Sequence, residues 1–313
     1  MGITMSTNNS EPILERIYLE DLDVLYLTYD EPQKEEFWVE IKNMIPWAHC
    51  VDGVKGSDAA HKAAAAASNT ERFILIDGDN MINDSFLDEV LTITDANKDA
   101  QFRWRSLNHV NGLYYGNGGV SCWTKTFINN MRTHEAADPL NPHTNIEFCY
   151  DPLYWPMHNC YSTTYPNYSA KQAWRAGFRE GVKLCGRSGE MPQSRQSFKE
   201  WVWPTCMRNL WHWWSLGRDV EYGWWAMYGA RLGTHYLMMR DWDHREVQDF
   251  SALDALWELH KADTDEHSRG IAGELNRALG LNIVDIEAPQ SEVFKQYIVT
   301  GWKNTNIMDR ETY

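Results

Sequence analysis

Short apolar runs alternate with helix-forming stretches over the first 80 residues. Residues 23–28 (DVLYLT) and 72–76 (RFILI) are continuous apolar runs of the length that buried parallel strands have. Between them lie a helix-forming segment, a second short apolar run and an alanine-rich segment that Ser57 or Asp58 could cap. The predicted elements are strand 23–28, helix 33–44, strand 48–54, helix 59–67 and strand 72–76. This βαβαβ order predicts an α/β fold with a parallel, nucleotide-binding sheet.

The pattern weakens after Arg103, where aromatic residues, glycine and asparagine become frequent. Residues 111–119 (NGLYYGNGG) contain four glycines and two asparagines, a composition that disfavours a regular element and suits a backbone approached closely by a ligand. Helical periodicity returns at residues 222–232 and 251–261. The predicted organisation is an N-terminal tail over 1–20, a main domain over 21–245 and a helical or mixed C-terminal extension over 246–313.

Composition and charge narrow the classes of function. The formal net charge of −15 disfavours a protein that coats nucleic acid, because phosphate contacts require clustered Lys and Arg. A basic stretch over residues 171–195 is compatible with a local nucleic-acid groove, and equally with a solvated basic face. No run approaches the roughly 20 apolar residues of a membrane helix, and the N-terminus is polar rather than a signal peptide. We therefore expect a cytoplasmic protein without a membrane span.

Tryptophan is unusually frequent, with 16 residues in the chain. Its ring offers a flat apolar face and one N–H donor, which suits a core but also a platform for sugars or bases. Seven of these residues lie close together in the sequence: Trp201, Trp203, Trp211, Trp213, Trp214, Trp224 and Trp225. About half of them are expected in the core on ordinary burial grounds. The others predict a Trp-rich region on the acceptor side of a binding site.

The strongest local signal is Asp77-Gly78-Asp79-Asn80, directly after the apolar run 72–76. Two carboxylates one residue apart at a strand end can share a hard divalent cation, and the glycine between them lets a diphosphate approach the backbone. Because ligands of parallel sheets bind beyond the carboxyl ends of the strands, residues 28–31 and 77–80 are expected to face one crevice. A solvent-facing Asp-Gly turn gives the same tetrapeptide, so the strand context is what favours function. The absence of GxGxxG and phosphate-loop patterns disfavours dehydrogenases and P-loop enzymes.

With this motif in place, residues 23–235 resemble the GT-A glycosyltransferases, whose Asp-x-Asp motif follows a central strand and binds Mn²⁺ or Mg²⁺ and the donor diphosphate. Four segments look most like glycosyltransferases encoded by tailed phages: residues 54–56, 74–80, 111–119 and 217–233. The resemblance implies a GT-A, Rossmann-like sheet that binds a nucleotide-sugar. It assigns Asp77 and Asp79 to the metal, and Asp77 and Gly78 to the donor.

The resemblance implies donor contacts at three further places. The nucleoside would be held by Thr28, Tyr29 and Asp30, with Tyr29 stacking on the base. The ribose or the phosphates would lie near Lys55, Gly56, Asp58 and Lys62. The donor sugar would be enclosed by Asn117, Gly118 and Gly119. Each of these has an ordinary structural reading, as a loop, helix-surface or turn residue.

The resemblance also implies a catalytic base near the start of the predicted helix 222–232. Asp219 or Glu221 would occupy the place of an acidic pair beside the acceptor, where an inverting displacement needs a base within hydrogen-bond reach of the nucleophile. The usual Glu-Asp order is replaced here by Arg218-Asp219, so both candidates stay open, and compensation of the helix dipole would explain the same residues. His235 lies where some members of the family have a third metal ligand.

Together these features predict a metal-dependent glycosyltransferase that uses a nucleotide-sugar, most simply a UDP-linked one. The phage resemblance suggests, as acceptor, the hydroxymethyl group of a 5-hydroxymethylpyrimidine in DNA, reached by extruding the base. A surface polysaccharide or a protein glycan is the alternative acceptor. The competing classes are a non-catalytic carbohydrate-binding protein and a metal-dependent nucleotidyltransferase.

Overall fold

A mixed seven-stranded sheet dominates the N-terminal half of the computed structural model, which describes residues 12–136, 154–187 and 190–304. The strands of this part of the chain are β1 (Glu15–Tyr18), β2 (Asp23–Thr28), β3 (His49–Asp52), β4 (Arg72–Asp77), β5 (Asn80–Ile82), β6 (Val90–Ile93), β7 (Gln101–Asn108), β8 (Tyr114–Thr124) and β9 (Tyr154–Thr164). The order across the large sheet is β3-β2-β4-β8-β7-β9-β5, and β1 and β6 form a separate antiparallel pair. The fold is therefore mixed α/β.

The parallel part of the sheet confirms the strands predicted from the apolar runs. β2 lies between β3 and β4 and is parallel to both. The helices predicted between these strands are present as α1 (Lys34–Met44) and α2 (Ser57–Ala67). Consequently Thr28, Asp52 and Asp77 end three neighbouring strands at one edge of the sheet.

The glycine-rich segment is where the prediction of irregular structure was wrong. Residues 114–124 form β8, an eleven-residue strand that pairs with β4 on one side and β7 on the other. Backbone hydrogen bonds to two neighbours hold the extended chain there despite the poor strand propensity of glycine. At Gly119 a side chain is excluded, because an added Cβ would overlap the amide group of Asn80.

The second half of the chain is mainly helical. A short helix, α3 (Lys125–Asn130), precedes β9, and the helices that follow β9 in the described ranges are α4 (Ala170–Lys183), α5 (Phe198–Trp201), α6 (Pro204–Ser215), α7 (Gly223–Met239), α8 (Phe250–His260), α9 (Asp265–Leu279) and α10 (Ala288–Asn304). The two predicted helices correspond to α7 and α8, and α7 continues seven residues beyond the predicted end at 232, because residues 233–239 are almost all buried and keep the helical pattern. None of the helices in the described ranges is long and apolar enough to cross a membrane.

The tightest contact in the helical half joins α4 and α7, which run side by side in the same direction. Each helix presents a pair of glycines four residues apart to its neighbour: Gly177 and Gly181 on α4, Gly229 and Gly233 on α7. An added Cβ on any of these would overlap a backbone carbonyl oxygen of the other helix. The absence of side chains thus lets the two backbones touch, and Thr234 Oγ1 donates a hydrogen bond to the carbonyl of Gly181 at 2.8 Å.

The predicted domain boundaries do not coincide with the observed cores. β1 lies inside the predicted tail 1–20 but pairs residue by residue with β6. At the other end, Leu253, Ile271 and Leu275 of the predicted C-terminal extension share one hydrophobic core with α4, α6 and α7. The extension is thus part of the helical half, because its apolar faces are buried against the same residues.

Most of the clustered tryptophans belong to that core rather than to an exposed platform. Trp213 and Trp214 are fully buried, and Trp201, Trp224 and Trp225 pack against the same cluster. Trp211 donates a hydrogen bond from Nε1 to the carbonyl of Asn282 at 3.0 Å. Trp203 is the most exposed of the seven, at 39%, and it stacks under the Arg187 guanidinium at 4.9 Å.

The α4–α7 contact predicts that Gly→Ala substitutions have opposite effects on stability at two helical glycines, one inside the contact and one away from it. Gly181→Ala places a methyl group against the Ala230 carbonyl, so we expect the free energy of unfolding to fall by about 2 kcal/mol or more. Gly270→Ala on α9 meets nothing within 4 Å and should raise it by about 0.5–1 kcal/mol. Urea denaturation of both variants measures the difference. Equal effects at the two positions would contradict the assigned contact.

Candidate functional site

The Asp77-Gly78-Asp79-Asn80 turn lies at the carboxyl edge of the parallel strands, between β4 and β5. Tyr26 of β2 donates a hydrogen bond from its hydroxyl to the carbonyl of Gly78 at 2.8 Å. Asn80 donates from Nδ2 to Asp79 Oδ1 at 2.6 Å, and its own Oδ1 accepts from Thr164 Oγ1 at 2.8 Å. The turn and the Asp79 carboxylate are therefore held by contacts from three strands.

A third carboxylate, not identified from the sequence, joins the two aspartates. Glu31 follows β2, and its Oε2 accepts a hydrogen bond from the Tyr29 amide at 2.7 Å. The same oxygen would lie 2.8 Å from a Cβ added to Gly78, so only glycine permits this approach. The sequence placed residues 28–31 at the crevice but assigned no role to Glu31, because nothing in the local pattern separates it from an ordinary loop glutamate. Its position directly after a parallel strand is the feature that could have identified it.

The electrostatics of this group favour a bound cation. Burial, followed by the charges of Asp79 and Glu31, raises the pKa of Asp77 well above its usual range. Burial and the charge of Glu31 raise the pKa of Asp79 to about 6. Three carboxylates thus repel one another in a partly enclosed place. Carboxylate oxygens are the ligands that Mn²⁺ and Mg²⁺ accept, so the residues fit a hard divalent cation.

His235 does not complete a three-residue metal site. Within the residues that the structure describes, no group of three or more His, Cys, Asp or Glu side chains is placed to hold a metal ion. His235 lies in the middle of α7, and its Nε2 is 2.9 Å from Glu274 of α9. The helix packing turns this ring toward α9 instead of the sheet edge. A cation at Asp77 and Asp79 would need its remaining ligands from a substrate diphosphate or from water.

At the end of β2, Tyr29 is accessible to a ligand, whereas Thr28 and Asp30 bind neighbouring side chains. Tyr29 is 41% exposed, as a base-stacking residue requires. Thr28 donates a hydrogen bond to Asp52 Oδ1 at 2.7 Å, and Asp52 also pairs with Lys34 at 2.7 Å. Asp30 is bound in a bidentate way by Arg175 of α4, at 2.9 and 3.0 Å, which lowers the pKa of that carboxyl.

The start of α2 holds the second predicted donor group. Lys55 is exposed, and Gly56 has φ +94°, a conformation that favours glycine. Asp58 and Lys62 pair with each other across one helical turn at 2.7 Å. The first amide of the helix, at Ser57, donates to the Glu135 carboxylate. The charges of Asp58 and Lys62 are thus paired within α2, whereas Lys55 is exposed to solvent.

The predicted sugar-enclosing residues lie on β8, next to the Asp77-Gly78-Asp79-Asn80 turn. Val120 pairs with Ile76, and this register puts Gly119 beside Asp77. Gly118 and Asn117 precede it on the same strand, and the Asn117 side chain lies outside the described residues. At Gly119 the space of the missing side chain is filled by the Asn80 amide, which also binds Asp79.

The two candidate bases have different surroundings. Asp219 is nearly buried, forms an ion pair with Lys295 of α10, and accepts a hydrogen bond from Ser291 Oγ at 2.7 Å. Glu221 is exposed, and its carbonyl accepts from Asn167 Nδ2 at 2.9 Å. Asn167 follows Tyr165, whose amide donates to the carbonyl of Asp79 at 2.7 Å. The Glu221 backbone is thus held two residues from Tyr165, which contacts the Asp77–Asn80 turn, and Glu221 itself is exposed to solvent.

Comparisons with known proteins add only weak likenesses. No family model matches the sequence, and no curated protein matches it. Among solved structures, a glycosyltransferase involved in glycosylation of the major capsid of PBCV-1 has a TM-score of 0.30 and 14% identity, covering 48% of this chain and 96% of that one. HddC from Yersinia pseudotuberculosis has a TM-score of 0.26 and 15% identity, covering 45% and 72%.

The inositol-1-phosphate CTP transferase from T. maritima has a TM-score of 0.27 and 14% identity, covering 45% of this chain and 68% of that one. At such scores these likenesses carry no argument about function.

The raised carboxyl pKa values predict that the site lowers stability at neutral pH. A carboxyl with a folded pKa of about 6 and an unfolded pKa near 4 binds more protons when folded, so stability falls as pH rises between these values. In chelator at pH 8, Asp79→Asn should raise the free energy of unfolding by about 1–3 kcal/mol. At pH 4 the gain should be much smaller.

Urea denaturation at the two pH values measures this effect, with the exposed Asp88→Asn as control, expected to change stability by less than about 0.5 kcal/mol. A loss of stability for Asp79→Asn at pH 8 would contradict the proposed repulsion.

Proposed function

We propose that this protein is a metal-dependent glycosyltransferase that transfers a sugar from a nucleotide-sugar to a hydroxyl acceptor. The observation that carries the proposal is the group Glu31, Asp77 and Asp79 at the carboxyl edge of the parallel strands, with the pKa values of both aspartates raised. The cation would be Mn²⁺ or Mg²⁺, held by Asp79 and Asp77. When bound, it supplies positive charge to the departing nucleoside diphosphate.

The chain's own residues would orient the donor around this point. Tyr29 offers an exposed ring for the nucleobase. Asn80 fixes the direction of the Asp79 carboxylate through its amide. Gly119 lies beside Asp77, and the Asn80 amide fills the space where a Gly119 side chain would stand, so the sugar would lie against β8 next to Asn80. The donor would thus lie across the carboxyl ends of β2 and β4, with its sugar toward β8.

Glu221 is the better candidate for the base. In a direct displacement the acceptor oxygen forms a bond to the anomeric carbon, the bond to the phosphate oxygen breaks, and the acceptor proton passes to the base. Glu221 is exposed and unpaired with any cation in the described contacts, whereas Asp219 already shares its charge with Lys295. Both carboxylate oxygens of Asp219 are already engaged, one by Lys295 and one by the Ser291 hydroxyl.

For the acceptor, we propose the hydroxymethyl group of a hydroxymethylpyrimidine in DNA, with a glycan hydroxyl as the alternative. The basic stretch that supports DNA is partly neutralised. Lys171 pairs with Asp254 at 2.8 Å, and Arg175 pairs with Asp30. Arg187 remains beside the exposed ring of Trp203, and this pair is the most accessible basic and aromatic feature of the stretch.

The deciding experiment incubates the protein with Mn²⁺ and a panel of nucleotide-sugars, with and without DNA that contains 5-hydroxymethylcytosine or 5-hydroxymethyluracil. Mass spectrometry of the digested nucleosides should show a hexose- or pentose-sized gain. Asp79→Ala is the negative control. Release of a nucleoside diphosphate while the DNA stays unmodified would support a glycosyltransferase whose acceptor is a glycan.

The same assay separates the rival classes. Release of pyrophosphate instead of a nucleoside diphosphate would identify a nucleotidyltransferase, which uses the same strand-end carboxylates. Donor binding without any turnover would identify a carbohydrate-binding protein. Full activity of Asp79→Ala would overturn the metal assignment.

Glu221→Gln and Asp219→Asn are predicted to fail in different ways. Glu221→Gln should lower kcat by about 10²–10⁴-fold with donor affinity and stability unchanged, because only proton transfer is lost. Asp219→Asn leaves Lys295 unpaired in a nearly buried place and should lower the free energy of unfolding by about 3 kcal/mol. Steady-state kinetics and urea denaturation of both variants measure this. Two variants with unchanged kcat would remove both candidates.

A further inference from the structure

Helix α4 stands against the carboxyl edge of the sheet and forms one wall of the crevice. Arg175 of α4 binds Asp30 after β2 in a bidentate way. Gln172 donates from Nε2 to Gln33 Oε1 at 3.3 Å, and Gln33 in turn donates to the carbonyl of Tyr165 at 3.0 Å. The helix is therefore anchored to the loops that carry the metal motif.

Arg179 lies one helical turn beyond Arg175 on the same wall. Its guanidinium stacks over the Phe250 ring at 5.2 Å, and the Arg175 guanidinium stacks over the same ring at 4.4 Å. Arg175 uses its two terminal nitrogens on Asp30. By contrast, Nε of Arg179 is buried and has no hydrogen-bond partner within the described part of the chain. One of two neighbouring guanidinium groups thus has an unused donor.

Arg179 also lies within electrostatic range of the metal motif. Burial lowers its pKa, and the negative charges of Glu180 and Asp79 oppose that shift. Arg179 therefore carries its positive charge on the α4 wall, one helical turn beyond the Arg175–Asp30 ion pair at the sheet edge.

Resting on the proposed function, we infer that Arg179 binds the β-phosphate of the nucleotide-sugar and stabilises the nucleoside diphosphate as it leaves. When the bond from the anomeric carbon to the phosphate oxygen breaks, the electron pair stays on that oxygen and negative charge rises there. A planar guanidinium can donate two parallel hydrogen bonds to a phosphate. The carboxylates of Asp77, Asp79 and Glu31 would otherwise repel this phosphate. The positive charge of Arg179 on α4 would therefore add to that of the cation held by the two aspartates.

The test compares Arg179→Gln and Arg179→Lys with the wild-type protein in Mn²⁺. Calorimetry gives the affinity for the nucleoside diphosphate released in the donor panel and for the matching monophosphate. Arg179→Gln should weaken binding of the diphosphate about tenfold or more and binding of the monophosphate less than about twofold. Arg179→Lys should retain part of the difference, because it keeps the charge but loses the fork of donors.

Three further readouts keep the inference falsifiable. Thermal unfolding without ligand should show Arg179→Gln at least as stable as wild type, since a buried cation with an unused donor is removed. The control Arg277→Gln, at an exposed position of α9, should leave the diphosphate affinity unchanged. The acceptor KM should stay constant. The assignment would be overturned if Arg179→Gln weakened the binding of the diphosphate and of the monophosphate equally. It would also be overturned if the acceptor KM rose while the diphosphate affinity stayed unchanged, a result that would place Arg179 against an acceptor phosphate.

The test of Arg179 can fail without the proposed function failing, and the two failures can be told apart. If the wild-type protein neither turns over a nucleotide-sugar nor binds any nucleoside diphosphate of the panel with Mn²⁺, the proposed function fails first. If the wild type does both and the Arg179 variants match it, only the role of Arg179 is lost.

Discussion

The contact between α4 and α7 is the constraint on which the rest of the site depends. Four glycines let the two backbones touch, and the carbonyls of one helix occupy the space where side chains of the other would stand. With α7 buried in the helical core, this contact holds α4 at one distance and one rotation. Arg175 then reaches Asp30 at the sheet edge, and Arg179 lies one helical turn beyond it, against Phe250. A small separation of the helices would displace both.

A second set of interactions ties the C-terminal part of the chain to the same helices. Arg231 of α7 is fully buried and pairs with Asp285 at 3.0 Å, and Arg218 binds the same carboxylate at 2.8 Å. Lys295 of α10 pairs with Asp219 and donates to the carbonyl of Val110 at 3.1 Å. These charges close the loop before α7 onto the loop between β7 and β8. The position of Glu221 is thus a consequence of the C-terminal segment, which the sequence suggested was a separate extension.

The site combines stabilising anchors with a destabilising centre. Asp30, Asp52 and Asp219 each have a basic partner. Asp77 and Asp79 have raised pKa values instead, because burial and nearby negative charges outweigh the opposing charges of Arg103 on Asp77 and of Arg179 on Asp79. Such a contrast within one crevice is typical of places where a ligand completes the charge balance.

The sequence by itself determined the strands and helices between residues 23 and 77 and the place of Asp77 and Asp79, because continuous apolar runs and strand-end turns are local patterns. Only the tertiary structure decided that residues 114–124 form a strand, since its hydrogen bonds come from distant neighbours. It likewise turned His235 toward Glu274 and brought Glu31 and Arg179 to the motif. Such placements depend on helix packing and on long-range charge, and neither leaves a local signal in the chain.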